Sequence, residues 1–255
     1  MMTIITLLTD FGSFYPAQMK GVILSKLKDK GKDVTFVDIA HDIPPQNVRA
    51  GAFALLSSAR YFPEGTIHVA VVDPGVGINR LGIVVESGGQ LFVGPNNGLL
   101  IPAARSMGTP LAYKIGCQFD ASNTFHGRDV FAPVAALLAQ GRSPANLGPR
   151  VGPKDMSFGE PKKTANGIEA NIVYVDRFGN LILNMHKLPS TDVSLKGIKL
   201  KRVRTYAEGR RIEPLITQGS HGFVEIAVKP GKRCGGVLPQ SRGPRGTGGD
   251  LICLE

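Results

Sequence analysis

A short apolar run that ends at an acid, a proline and two glycines does most to limit the fold of this chain. Residues 68–72 read HVAVV, and a β-branched run of this length is typical of a buried strand. The segment DPGVG then stops the strand and turns the chain, so that Asp73 follows a buried strand and Arg80 comes seven residues later. Ligands bind at this edge of open α/β sheets, although a turn-capping Asp and a solvent-facing Arg would have the same local sequence.

Strands and helices alternate through the first 75 residues. The apolar periodicity predicts strands over 3–9, 33–39 and 69–72, and helices over 18–28 and 46–61. This order predicts parallel strands with right-handed crossovers. Further elements are predicted downstream: strands over 81–86 and 90–93 joined at residues 87–89, a short helix after Pro95, and a helix over 130–140. We therefore expect an α/β N-terminal domain with a mainly parallel sheet.

The pattern changes in the last third of the chain to short strands without long helices. Strands are predicted over 168–175, 180–185, 197–204, 222–228 and 250–254. They predict a smaller all-β C-terminal domain, an antiparallel barrel or sandwich. The segment before it is dense in Gly, Pro and Lys, so we predict domains over 1–150 and 166–255 with a linker over 151–165. Residues 241–249, SRGPRGTGG, are predicted to form a mobile loop.

The composition excludes several classes of protein. The net charge of +10 permits nucleic-acid binding, but the basic residues are dispersed without interleaved aromatics, which favours a solvated surface. Three cysteines without a CxxC pair make a disulfide scaffold or a cysteine zinc site an unfavoured interpretation. No apolar stretch approaches 18 residues, and the N-terminus lacks a basic region, so we expect no membrane span, no signal peptide and a cytoplasmic location.

Two acids are predicted to meet at one edge of the sheet. Asp10 ends the first strand as Asp73 ends the third, and a carboxylate can accept from two adjacent sugar hydroxyls, although Asp10 could instead cap a turn. His126 lies in a loop before a helix, a more exposed position than core histidines have. Arg128 and Asp129 follow it, and we expect them to cap that helix and pair with each other.

Two functional alternatives remain open on the residues alone. A metal hydrolase would use Asp10, His41, Asp42, Asp73 and His126, but no HxH or HxxxH spacing pairs two ligands. A non-catalytic adenosine- or nucleic-acid-binding protein would use the basic β domain, which leaves the two acids at the strand ends without a role.

Eight segments together resemble one family, the S-adenosyl-L-methionine (SAM) hydrolases or SAM hydroxide adenosyltransferases, which are related to fluorinases and chlorinases. The segments fall in family order and cover nearly the whole chain. They are LTDFG at 8–12, MKGV at 19–22, HDIPP at 41–45, VVDPGVG at 71–77, VGPNNG at 93–98, TFHGRD at 124–129, DRFGN at 176–180, and GSHG at 219–222 with EIA at 225–227.

The resemblance implies an α/β domain, a β-barrel and a homotrimer that binds SAM between neighbouring subunits. It implies hydrolysis of SAM to adenosine and L-methionine, with SAM as the substrate and with no cofactor or metal. Residues of this chain match the catalytic set around the water (Asp73, Arg80, His126), the ribose-diol acid (Asp10), the aromatic beside adenine (Phe178), the groups on the methionine or adenosine portion (Asp176, Asn180), and the barrel segment that contacts methionine and adenine (Ser220, Glu225, Val228).

The chain departs from the family pattern at three places. The loop between Asp10 and Lys20 is two residues shorter and has Phe-Tyr-Pro in place of a second acid. His221 stands where the halogenases have arginine. Val76 and Gly127 stand where the halogenases have hydroxyl residues near the halide, so a halogenase-like displacement is the disfavoured alternative.

Overall fold

The computed structural model describes residues 2–28, 33–78, 80–117, 119–210, 213–228 and 250–254. The chain divides into two compact units, Met1–Ser157 and Phe158–Glu255. The loop predicted over residues 241–249 lies outside the described residues. None of the helices within the described ranges is long and apolar enough to cross a membrane.

The first unit is built on a six-stranded sheet. Its strands are β1 Thr3–Thr9, β2 Val34–Ala40, β3 Ile67–Val71, β4 Gly82–Ser87, β5 Gln90–Pro95 and β6 Leu111–Lys114. Its helices are α1 Tyr15–Leu27, α2 Val48–Ala59, α3 Ile101–Met107, a π-helix Gly127–Phe131, α4 Ala132–Ala139 and a 3-10 turn Pro144–Asn146.

The sheet is mixed, so the prediction of a mainly parallel sheet is wrong. Its order is β2-β1-β3-β5-β4-β6. The β2–β1, β1–β3 and β3–β5 pairings are parallel, whereas β5–β4 and β4–β6 are antiparallel. Gly88 and Gly89 have positive φ and fold β4 and β5 into a tight hairpin, which forces an antiparallel pair. The sequence reading then missed β6, the short strand that pairs with the free edge of β4.

Helix ends follow local capping rules. Helix α2 begins after Asn47, whose side chain accepts from Ala50 N at 3.0 Å, so the helix lies inside the predicted range 46–61. Helix α1 begins three residues before the predicted residue 18, because Pro16 in its first turn loses no helical hydrogen bond. Its buried side presents Met19, Ile23 and Leu27 to the sheet core.

The second unit is a closed barrel. Its strands are β7 Lys162–Thr164, β8 Gly167–Val175, β9 Leu181–Leu183, β10 Val193–Leu195, β11 Ile198–Arg202, β12 Pro214–Gln218, β13 Val224–Val228 and β14 Leu251–Leu254, and a 3-10 turn spans Tyr206–Glu208. The sheet order is β14-β10-β11-β12-β13-β9-β8-β7, and an additional β14–β8 pairing closes seven strands into a ring that has no free edge. The predicted barrel is thus present with one parallel pair, β11–β12. Strands β7, β10 and β12 were not predicted.

Alternation along β13 decides which side chains fill the barrel. Val224, Ile226 and Val228 belong to the barrel core, whereas Ala227 packs in a separate cluster with Leu215. Because successive side chains of a strand point to opposite faces, Glu225 lies on the outer face of the barrel wall with Ala227.

The division between the units falls at residues 157 and 158, inside the predicted linker. Part of the segment before it is tied to the first unit. Arg150 forms an isolated antiparallel β-bridge with Tyr113, and Val151 N donates to Ala112 O. The domain limits 1–150 and 166–255 stay a prediction.

Two glycines of the first unit provide a matched test of packing. A Cβ on Gly94 in β5 would lie 2.2 Å from Ala70 O in the neighbouring strand, whereas a Cβ on Gly21 in α1 would meet nothing within 4 Å. We expect Gly94→Ala to lower the free energy of unfolding by about 1–3 kcal/mol and Gly21→Ala to raise it by up to about 1 kcal/mol. Denaturant unfolding of the two variants measures both effects, and equal effects would contradict this account.

Candidate active site

The edge of the sheet brings two acids together. Strands β1 and β3 are parallel neighbours in which Thr9 pairs with Val71, so Asp10 and Asp73 leave the sheet side by side. Burial raises the pKa of the Asp10 carboxyl, and the negative charge of Asp73 acts in the same direction. The backbone N–H of Gln46 donates to Asp10 Oδ2 at 2.7 Å and opposes that rise. One Asp10 oxygen is therefore held by the backbone of Gln46, 36 residues later in the chain.

Asp73 and Arg80 form a largely buried, bidentate ion pair. Arg80 Nε donates to Asp73 Oδ1 at 3.0 Å and to Oδ2 at 2.8 Å, and Arg80 Nη2 also donates to Oδ2. Their side chains are 5% and 13% exposed, so water screens the pair little. The guanidinium lies 5.1 Å from the Phe131 ring centre, which adds a cation–π contact.

Arg80 also fixes the protonation of His126. Arg80 Nη2 donates to His126 Nδ1 at 2.9 Å, so Nδ1 is an acceptor and the neutral ring carries its proton on Nε2. Burial lowers the pKa of His126, and the positive charge of Arg80 lowers it further. The cluster thus combines a carboxylate, a guanidinium and a neutral imidazole.

Gly77 lets the loop of Asp73 approach the loop of His126. Its φ is +78°, and a Cβ there would lie 2.5 Å from Asn123 O. Only glycine fits without a shift of one of the two loops. Gly77, the second glycine of DPGVG, is therefore needed for the close packing of these two loops. From the sequence it was interpreted only as a turn signal.

The helix after His126 begins with a π-helical turn. Ala132 N donates to Gly127 O, five residues back, before regular α-helix continues. A Cβ on Gly127 would lie 3.0 Å from the Phe125 ring and 3.1 Å from the Phe11 ring. Arg128 and Asp129 pair as expected, with Nε to Oδ1 at 2.6 Å and Nη2 to Oδ2 at 3.0 Å.

An aromatic cluster beside these residues was missed by the sequence reading. Phe11 and Tyr15 both meet Phe125 edge-on, with ring centres 5.4 and 5.2 Å apart, and Phe14 lies 4.0 Å from Tyr15. Three of these rings come from the shortened segment after Asp10. The FGSFY spacing was the available signal, because it places several aromatics within one loop.

Three of the six predicted residues of the second unit lie in a tight turn between β8 and β9. Asp176 Oδ1 accepts from the backbone N–H groups of Phe178 and Asn180 at 2.9 and 2.8 Å, and Oδ2 accepts from Asn180 Nδ2 at 2.8 Å. The turn thereby holds Phe178 with 81% of its surface exposed, while Asn180 is buried. An aromatic ring held open to solvent by a rigid turn suits stacking on a flat ligand.

Glu225 lies near this turn, since the charge of Asp176 acts on it. Ser220 sits in the loop just before β13, next to His221, which contacts Glu225. The side chain of Val228 packs in the barrel core, so a ligand contact from Val228 would come through its backbone.

No group of three or more His, Cys, Asp and Glu side chains that could hold a metal occurs in the part of the chain that the structure describes. The five residues considered for a metal hydrolase form no such group there.

These features define a class: a protein with a mixed α/β unit and a closed barrel, with an Asp–Arg–His cluster beside a second acid at the sheet edge. Family models match most of the chain: the SAM hydroxide adenosyltransferase N-terminal domain matches residues 5–148, and its C-terminal domain matches residues 170–235. The chain belongs to the SAM hydroxide adenosyltransferase family.

Relatives and solved structures agree with this assignment. A protein of Methanocaldococcus jannaschii named (R)-S-adenosyl-L-methionine hydrolase is 38% identical over 244 residues, covering 88% of each chain. A protein of the same name from Thermus thermophilus is 38% identical over 88% of this chain and 91% of its own, whereas a fluorinase of Actinopolyspora mzabensis is 25% identical over 88% and 90%. The crystal structure of an uncharacterized conserved protein from Thermotoga maritima superimposes with a TM-score of 0.82 at 30% identity, covering 98% of this chain and 100% of that one.

The contacts of Arg80 predict how His126 titrates. Arg80→Gln should raise the pKa of His126, because it removes the nearby cation while the carboxylate of Asp73 stays. Imidazole proton shifts measured by NMR against pH report this change. Arg105→Gln removes a surface arginine that pairs with Asp155 and should leave His126 unchanged. An unmoved His126 titration in Arg80→Gln would show that the two side chains do not interact.

Proposed function

We propose that this protein is an S-adenosyl-L-methionine hydrolase that forms adenosine and L-methionine. Family membership and the hydrolase relatives at 38% identity support the activity. The observation that carries the mechanism is the partly buried Asp73–Arg80–His126 cluster at the strand edge, beside Asp10.

The reaction is a displacement at the ribose C5′. The oxygen of water bonds to C5′ as the C5′–S bond breaks, and the bonding electrons pass to the sulfonium sulfur, which leaves as the neutral thioether of methionine. The leaving group needs no acid, but bulk water, with a pKa near 15.7, is a weak nucleophile. Catalysis therefore depends on positioning the water and accepting its proton.

Asp73 accepts that proton in our proposal. Each carboxylate oxygen has two lone pairs, so Asp73 can hold a water while it accepts from Arg80. Arg80 stabilises the hydroxide character that develops on the water oxygen. His126 keeps its proton on Nε2 and can donate it to that oxygen in a hydrogen bond, which orients the lone pairs toward C5′.

The remaining residues hold the substrate in our proposal. Asp10 accepts from the ribose hydroxyls through its second oxygen, and Phe178 stacks beside the adenine. Asp176, Asn180, Ser220, Glu225 and Val228 contact the methionine or adenine portions. SAM is the substrate, and the chemistry above uses no cofactor. The homotrimer with sites at subunit interfaces is part of the same proposal, which rests on the family resemblance.

Water is favoured over halide as the nucleophile. A halide that leaves bulk solvent needs hydrogen-bond donors to replace its hydration. Val76 and Gly127 offer no side-chain hydroxyl at the matching positions, and a Cβ on Gly127 would already crowd two aromatic rings.

Replacing the proton acceptor tests the mechanism. Asp73→Asn keeps the size of the side chain but removes its basicity, so the turnover of SAM should fall about 10²–10⁴-fold. Release of adenosine, followed by chromatography, measures it. Asp155→Asn makes the same change at an exposed carboxylate and should retain full activity. Full activity in a folded Asp73→Asn protein would remove Asp73 from the mechanism.

The fate of the water oxygen tests the reaction itself. In H₂¹⁸O the wild-type protein should give adenosine and methionine in equal amounts, with the label in the 5′-hydroxyl of adenosine, because water attacks C5′. Added fluoride or chloride should yield no 5′-halogenated nucleoside. Mass spectrometry distinguishes these products, and intact SAM or a halogenated product would contradict the proposed function.

A further inference from the structure

Four polar side chains form a connected row beside the end of β1. Thr9 Oγ1 lies 2.9 Å from His41 Nδ1, and His41 Nε2 lies 3.1 Å from Asp38 Oδ1. Lys20 Nζ donates to Asp38 Oδ2 at 2.6 Å and completes the row. The row links β1, β2 and α1, and neither His41 nor Lys20 has a part in the mechanism proposed above.

An irregularity in β2 brings the row together. The pairing of β1 with β2 shifts between Leu7 and Leu8, which leaves Ile39 of β2 without a partner. In a regular strand Asp38 and His41, three residues apart, would point to opposite faces of the sheet. The extra residue changes that alternation, so the two side chains lie on one side, within contact distance.

The charges in the row fix the direction of its hydrogen bonds. The carboxylate of Asp38 can only accept, so the proton of the neutral His41 ring lies on Nε2. That contact is bent away from the line of a good hydrogen bond and acts mainly through charge. Nδ1 of His41 then accepts from the Thr9 hydroxyl, and Thr9 Oγ1 accepts in turn from the backbone N–H of Phe11 at 3.4 Å.

His41 is bonded to the residues on both sides of Asp10. Its ring accepts from the side chain of Thr9, and its backbone carbonyl accepts from the N–H of Gly12 at 2.9 Å. The backbone N–H of Gln46 holds Oδ2 of Asp10 itself. The segment that follows β2 therefore restrains both the backbone of Asp10 and one oxygen of its carboxylate.

The order of these groups excludes a second catalytic centre. A hydroxyl, an imidazole and a carboxylate in a row also make up the triads of hydrolases, in which the hydroxyl attacks the substrate. Thr9 is 0% exposed, so its hydroxyl cannot reach a substrate. The row of Thr9, His41 and Asp38 can act only on the segment that it holds in place.

We propose that His41, held by Thr9 and Asp38, is a positioning residue that orients Asp10 toward the two ribose hydroxyls of the substrate. This inference rests on the proposed function, since it takes Asp10 as the acceptor of those hydroxyls. His41 touches no reacting atom and acts only through Asp10. Loss of the bond between Thr9 and His41 therefore weakens recognition of the ribose and leaves the chemistry at C5′ intact.

Binding of adenosine and 2′-deoxyadenosine, measured by calorimetry, tests the inference without turnover. Wild-type protein should prefer adenosine about tenfold, because the deoxynucleoside lacks one donor to a carboxylate. Thr9→Val keeps the shape of the side chain but removes the hydroxyl, so the preference should fall about threefold or more. With SAM as substrate, the KM of this variant should rise while kcat stays within about twofold of wild type.

Replacements of His41 test the same contact from its other side. His41→Phe keeps a ring but removes both nitrogens, and it should reduce the preference for adenosine as Thr9→Val does. His41→Asn places a carbonyl oxygen close to the position of Nδ1, where it can accept from the Thr9 hydroxyl. This variant should regain part of the preference that His41→Phe loses.

Thr6→Val is the matched control for Thr9→Val. Thr6 is also a buried threonine of β1, and its Oγ1 lies 2.7 Å from the Nδ1 of another histidine, His68. Thr6→Val should lower the midpoint of thermal unfolding about as much as Thr9→Val does, but it should keep the wild-type preference for adenosine. A purely structural role for the His41 contact would make the two variants alike in both measurements.

A double variant tests whether His41 acts through Asp10. Asp10→Asn should reduce the preference for adenosine, and adding Thr9→Val should reduce it no further, because residues that act through one group are not additive. Four outcomes would overturn the inference: no preference in wild type, an unchanged preference in both Thr9→Val and His41→Phe, the same loss in Thr6→Val, or a further loss in the double variant. Intact SAM after incubation would refute the proposed function instead, and nucleoside binding would still decide the inference.

Discussion

The ion pair between Asp73 and Arg80 is the interaction on which the candidate site depends. Removing two charges from water is costly, and the cost is offset only when geometry and extra partners are good. Here the guanidinium meets both carboxylate oxygens, the Phe131 face and His126 Nδ1. The pair therefore holds the Asp73 carboxylate at the sheet edge, and Arg80 determines which nitrogen of His126 carries the proton. One side chain, Arg80, connects the turn after β3 to the segment before the π-helix.

Glycines allow close packing in each of the two units. Gly77 allows the acid-bearing loop to touch the backbone of Asn123, and Gly94 allows β5 to lie close to Ala70 of β3. In the barrel unit, a Cβ on Gly219 would instead meet side-chain atoms of His221 and Glu225. At Gly77 and Gly94 the absence of a Cβ allows two chain segments to lie in close backbone contact.

Much of the α/β unit could be predicted because its signals are local. Strand β1 occupies its predicted range, and the acids after β1 and β3 meet because parallel neighbours end at one edge. The mixed character of the sheet could not be predicted from local sequence. Strand β6 is only four residues long, and it pairs with β4 although β5 and α3 lie between them in the chain. The His221–Glu225 contact and the tautomer of His126 depend on side-chain packing, which periodicity does not encode. The family resemblance supplied candidate roles, but not these contacts.

The π-helical turn at Gly127–Phe131 constrains how the chain can change length. A π-turn holds one residue more than an α-turn, and each residue of a helix rotates its neighbours by about 100°. Loss of one residue here would restore an ordinary helix and swing His126 around the axis relative to the buried face of α4. Insertions and deletions in this segment are therefore coupled to the direction in which the imidazole points.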